Sequence, residues 1–402
     1  MAATEQGVWN LQEVRDKALQ DEWTYEAMEP GPLWAIGGNP NGQLGLNDTT
    51  NRSSPKQVGT ESTWDRVAGS YSGYGQEFAG HKSDGTLWAW GRGTGGQLAQ
   101  NDEVSRSSPT QIPGSTWSGN FSVGTSIMIA TKTDGTLWAW GSNNRGQLGQ
   151  NQPDSKSVSS PVQIGTDTDW SVTQLESVNG GNSYAACACM KTDGTLWAWG
   201  SNADGQLGQN DRTQRSSPVQ IPGTWTGSKL SKPYRAFTVV KSDGTLWSWG
   251  GNARGNLGLN DDDQRVSSPT QVGSDTDWKK TVSGNYGTIA LKTTGELWYF
   301  GSNEGGAAGQ NQPVGPNGQR NSRSSPVQIT SGTDWDDIAV SMWSRYANKT
   351  DGTLYGWGRA DGGALYNGNN NGKSSPTQLN GTGWIGTLSA CYGRALLNVR
   401  SS

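Results

Sequence analysis

Few residues in this chain have the types and spacing that chemistry requires. Cys187 and Cys189 stand two apart, which places both thiols on one face of a strand and Ala186 and Ala188 on the other. A redox or metal pair needs further Cys or His nearby, and none follows, so buried small side chains are the stronger reading. Cys391, in the last strand, reads the same way. His81 is the single histidine, which excludes most zinc and histidine-base chemistry, and its place just before Ser83-Asp84-Gly85 reads as a solvated strand end. Asn47-Asp48, Asn101-Asp102, Asn210-Asp211 and Asn260 to Asp263 gather the oxygen ligands that Ca²⁺ takes. None has the spacing of a calcium loop, and Asn and Asp are ordinary turn formers, so turn chemistry is the stronger reading. Asp84, Asp134, Asp193, Asp243 and Asp351 recur in the same short motif, as hairpin residues do and catalytic carboxylates do not. No Ser-His-Asp set, phosphate loop or pair of acids remains. A non-enzyme with no cofactor and no metal is expected.

The elements that position these residues are repeats. Leu-Trp-Ala-Trp-Gly begins at Leu87, Leu137 and Leu196, Leu-Trp-Ser-Trp-Gly at Leu246, and degenerate copies at Leu33, Leu297 and Leu354. Ser-Ser-Pro ends at Pro55, Pro109, Pro161, Pro218, Pro269, Pro326 and Pro376, and a Trp follows each, from Trp64 to Trp384. Three markers therefore share a count of seven, and periods of 50 to 59 residues are those of propellers and solenoids. Within a unit, Asp134-Gly135 separates two runs of alternating polarity, a strong hairpin signal, with Leu137 and Ala139 on one face and Trp138 and Trp140 on the other. Four strands per unit predict an all-β chain, a seven-bladed β-propeller of four-stranded blades. The first copy lacks its preceding strand and the chain ends on an unpartnered one. Arg394 to Val399 is therefore predicted to pair with Pro32 to Gly37 and close the ring.

Composition agrees. Hydrophobic residues are 31% and mean hydropathy is −0.73, values that suggest disorder until 21 Trp and 59 Gly are set beside only 16% charged residues. The net charge of −4 offers no footprint for nucleic acid or anionic membrane, and no apolar run approaches the roughly 20 residues that span a bilayer. Residues 1–7 carry no conventional secretory signal.

The pattern W-G-x-N-x-x-G-Q-L-G, at Trp140 to Gly149 and Trp199 to Gly208, resembles the regulator of chromosome condensation repeat, over residues 32–399. That resemblance implies a rigid ring that presents loops to a protein partner. The family includes a Ran exchange factor, ubiquitin-ligase domains, a plant UV-B photoreceptor and a bacterial β-lactamase inhibitor. The Gly-Trp-Arg-His-Thr units of the photoreceptor are missing here, and the basic, His-containing surfaces of exchange factors are not matched.

Residues 1–31 form a separate segment before the propeller of 32–402. Asn10 with Glu13 forms a capping-box-like start, and Leu11, Val14 and Ala18 fall on one face of a short helix. About three turns are too few to be stable alone, so this helical arm is expected to dock, with Trp9, Leu11, Val14 and Trp23 in contact. It also resembles end segments of structural proteins from tailed marine phages. The first expectation is accordingly a virion structural or adhesion protein, binding other virion proteins, copies of itself, or a host receptor or glycan. The alternatives are a cytoplasmic interaction module of the repeat family and a glycan-binding propeller. Insertions at Gln152 to Val158 and Pro313 to Ser322 single out one ring face, with Arg320, Asn321 and Arg323 as candidate partner contacts.

Overall fold

The computed structural model describes residues 30–70, 76–152, 156–178, 185–226, 229–231, 235–284, 286–312, 322–340, 344–359, 372–379, 388–391 and 395–399. The expected N-terminal helix, with Trp9, Leu11, Val14 and Trp23, lies outside them, as do Arg320 and Asn321. The described chain is an all-β propeller. Its strands pair into seven four-stranded antiparallel sheets, and its only helical elements are the short turns Ala253–Gly255 and Glu304–Gly306.

One blade shows why the motif folds as it does. Its strands are Trp64–Gly69, Glu77–Lys82, Leu87–Gly91 and Arg106–Gln111, in spatial order. Between the second and third, Gly85 takes a φ of 80°, a left-handed conformation that glycine adopts without strain. Asp84 accepts from the Thr86 amide and hydroxyl at 3.0 and 2.6 Å, and the Thr86 hydroxyl accepts the Trp88 indole N–H at 2.8 Å. The same chain of bonds recurs from Asp134, Asp193 and Asp243. The recurring aspartates are thus hairpin residues.

Strand alternation then builds the cores between blades. Leu137 and Ala139 join a cluster with Trp170, Cys187, Cys189 and Trp199 of the following blade, while Trp140 packs into the cluster of the preceding one. Cys187 and Cys189 are therefore buried packing residues, with Ala186 and Ala188 in a separate core behind them.

Two recurring contacts fasten blades to their neighbours. The last Trp of the motif reaches back, so that Trp90, Trp140, Trp199 and Trp249 donate to the carbonyls of Gln43, Gln97, Gln147 and Gln206 at 2.8–2.9 Å. The first Gly of Gly-Gln-Leu-Gly abuts the first Ser of the following blade's Ser-Ser-Pro: a Cβ on Gly146 would stand 2.7 Å from Ser216 Cα. Beside it, the Asn151 amide donates to Ser216 O at 2.7 Å.

The first strands of successive blades touch one another around the axis, the strand Leu388–Cys391 meeting Trp64–Gly69. The chain ends meet as well. Leu33–Gly37 pairs with Ala395–Val399, from Leu33 opposite Val399 to Gly37 opposite Ala395, so one blade draws strands from both termini. Pairing the ends removes two exposed edges.

Candidate interaction face

Each third strand ends opposite the start of the second, as Gly91 does opposite Glu77 and Gly250 opposite Ala236. The connections between first and second strands and between third and fourth strands therefore emerge on one face, and the Asp-Gly hairpins on the other. The hairpin face repeats. Lys82, Lys132, Lys191, Lys241 and Lys292 each lie over two tryptophans, with distances to ring centroids of 3.8–5.2 Å. Lys349 lies likewise over Trp335 and Tyr355. A desolvated cation on an aromatic face contributes up to about 2 kcal/mol, so these lysines tie neighbouring strands within one blade to one another.

On the loop face the Asn and Asp clusters prove to be turn devices. Asn47, Asn101, Asn210 and Asn260 take φ of 59–62°, and their amides donate to Ser107, Ser159, Ser267 and Ser324 of the next blade. Asp48, Asp102 and Asp211 accept from amides two residues on and pair with Arg52, Arg106 and Arg215. These backbone bonds, with the guanidinium pairs, hold all three carboxyls below the usual range. Arg323 occupies the same loop-closing position, but donates to the side-chain oxygens of Gln310 and Gln312 at 2.9 and 2.7 Å. Among the described residues no three His, Cys, Asp or Glu side chains converge as a metal site.

The reading of His81 as a solvated strand end is corrected. His81 is 7% exposed; its Nδ1 lies 2.7 Å from Asp65 and its Nε2 3.0 Å from Trp117 O of the next blade. Both ring nitrogens thus face oxygen atoms, one on its own blade and one on the next. The packing of adjacent blades, invisible to local sequence, is what encloses it.

Where the repeat breaks, charge collects on the loop face. Buried Asp204 meets Arg265 at 2.7 Å and Arg235 at 3.4 Å, both from the following blade. One blade further on, Glu304 takes Arg254 at 2.5 Å and Arg359 at 3.5 Å, and the Arg254 guanidinium lies 4.5 Å from the Tyr286 ring centroid. Asp261, Asp262 and Asp263 stand exposed beside this arc, so it carries both signs of charge. Across the ring, fully buried Glu77 accepts from the Ser126 amide of the next blade at 2.9 Å and from the Gln76 amide at 2.7 Å. Burial pushes its carboxyl up to about 7 against the pull of those amides and Arg92. Other blades place Ile127, Ala186, Ala236, Gly287 and Ser344 at that strand position. Sequence reasoning passed over these residues; a position-by-position alignment of the repeats carries the signal.

The family pattern described as "Regulator of chromosome condensation (RCC1) repeat" matches residues 84–128, 134–188, 193–227 and 243–291. The ultraviolet-B receptor UVR8 of Arabidopsis thaliana is 26% identical over 219 residues, 52% of this chain and 46% of the receptor, so the match spans about half that relative's length. Prp20p from Saccharomyces cerevisiae superposes with a TM-score of 0.77 at 18% identity, covering 95% of each chain. Human WBSCR16 does so with a TM-score of 0.75 at 18% identity, covering 91% of this chain and 98% of that one. No helix among the described residues is long and apolar enough to cross a membrane. Four stretches of the chain are thus similar in sequence to the RCC1 repeat, and its fold is similar to the Prp20p propeller.

Proposed function

We propose that this chain is an RCC1-like protein-interaction module that docks a protein partner through its loop face, and that it is not an enzyme. The observation that carries this reading is the arc of Asp204, Arg235, Arg254, Arg265, Glu304 and Arg359, which departs from the repeat and spans consecutive blades on one side of a rigid ring. Arginines already held by a carboxylate or an aromatic ring lose little freedom on binding, and Arg and Tyr are the types enriched at interface hot spots. The structure of Prp20p was described together with its binding to Gsp1p and histones, which supports a protein as the class of ligand. The virion reading rested on the N-terminal arm, outside the described residues, and the relatives and folds matched favour the interaction module instead.

The test compares the wild-type chain with an Arg254→Ala/Arg265→Ala variant in affinity capture from the source cells, each first checked for the same thermal unfolding. A protein that the wild type retains and the variant loses supports the reading. Equal capture by both chains counts against this face.

A further inference from the structure

We propose that residues 21–29 of this chain fold back as a strap along the cleft where the blade built from both termini meets the blade of Trp64–Gly69. The cleft, of about 470 Å³, runs down the outer wall of that seam. Asn47, Asp48 and Arg52 line its end at the loop face, and Glu61, Trp64 and Lys82 its end at the hairpin face. The described chain begins at this second end. Gly31 stands where other blades have the hairpin glycine, two residues before the Leu of the third strand, and its amide donates to Trp64 O at 2.9 Å. The residues before Gly31 therefore leave the fold beside the cleft.

Length and charge then select the occupant. Nine extended residues reach about 30 Å, whereas the strand Arg52–Gln57, with six residues, spans about 20 Å, so residues 21–29 can follow the cleft from one face to the other. They hold Asp21, Glu22, Glu26 and Glu29 and no Lys or Arg. The lining of the cleft sets Arg52, Lys56 and Lys82 against Asp48 and Glu61, an excess of one positive charge. Arg52 and Lys82 are held by Asp48 and Glu61, whereas Lys56 is exposed and forms no ion pair among the described residues. The corresponding cleft beside Trp170 and Trp197, of about 310 Å³, is lined by one charged residue, Asp167, and so repels an acidic segment. Half-buried Trp88 and Pro109 give the larger cleft apolar surface for Trp23 and Tyr25 to cover. So seated, the strap lies across the seam that closes the ring.

The test is hydrogen exchange of the full chain, read by mass spectrometry over residues 21–29 and compared with the same residues as a free synthetic peptide. Exchange at least about tenfold slower in the chain than in the peptide is expected, at every protein concentration. Lys56→Glu, at an exposed position, should remove about threefold to tenfold of that slowing, while Asp167→Asn in the other cleft should leave it unchanged. Raising salt from about 0.05 to about 1 M on the wild-type chain should weaken the protection likewise, and protection unmoved by salt overturns the proposal if the variant fails to fold. Exchange at the free-peptide rate overturns it outright. Slowing that a folded Lys56→Glu chain retains in full places the segment elsewhere and overturns it as well. Slowing that fades on dilution does the same, because the occupant is then the segment of a second copy.

Discussion

Glu77 shows how a single residue departs from its repeat. Its carboxyl, fully buried and accepting two amides, titrates at about 7 in the folded chain rather than near the ordinary 4.5. A folded pKa raised by burial means that the native state binds the proton more tightly than the unfolded chain does. The associated stability is therefore full below about pH 4.5 and is lost as pH rises through about 7. The wild type is expected to lose on the order of 2–3 kcal/mol across that window. Glu77→Gln, neutral throughout, should flatten the loss, as read from urea midpoints at about pH 5 and about pH 8. Equal slopes for the two proteins would show that Glu77 is not the group responsible. His81 teaches the complementary lesson, since nothing in its neighbours along the chain announces Asp65 and Trp117 O.

At the scale of an element, the contacts between blades explain residues that strand propensity leaves unexplained. Trp140→Phe removes the donor to Gln97 O, leaves that carbonyl short of a partner, and should cost about 1–2 kcal/mol in guanidinium unfolding. The chain holds its own precedent: Phe300 stands where five other repeats have the donating Trp, packed beside Gly258. Gly146→Ala is expected to be worse. Its φ of 69° already costs an L-residue about 1–2 kcal/mol, and its Cβ would meet backbone at 2.7 Å, so a loss of at least about 2 kcal/mol should appear in the same experiment. A loss well under that figure would mean the two blades separate easily. The Leu-Trp-Ala-Trp-Gly and Asp-Gly motifs made the strands and their faces legible because alternation and turn chemistry are local. The recurring Gly and Ser were legible only as markers, because their reason is contact between blades some 70 residues apart in sequence, as between Gly146 and Ser216.

For the whole molecule the decisive feature is closure. Removing residues 388–402 would leave Leu33–Gly37 and Arg52–Gln57 as a two-stranded remnant with an open edge. Such remnants are marginal, and open edges invite association. The truncated chain should unfold at lower temperature and self-associate in light scattering, whereas an unchanged Tm and a monomeric mass would show that the ring does not depend on this seam.

By itself the sequence determined the repeat, the hairpins, the alternation of faces and the pairing of the two ends, because each follows from patterns of a few residues copied along the chain. The tertiary structure alone decided where the non-repeating charges meet. Asp204 and Arg265 lie in different units, as do Arg254, Glu304 and Arg359. Ion pairs between blades depend on the angle at which one sheet packs on the next, a quantity set by summed side-chain volumes and recorded in no single motif.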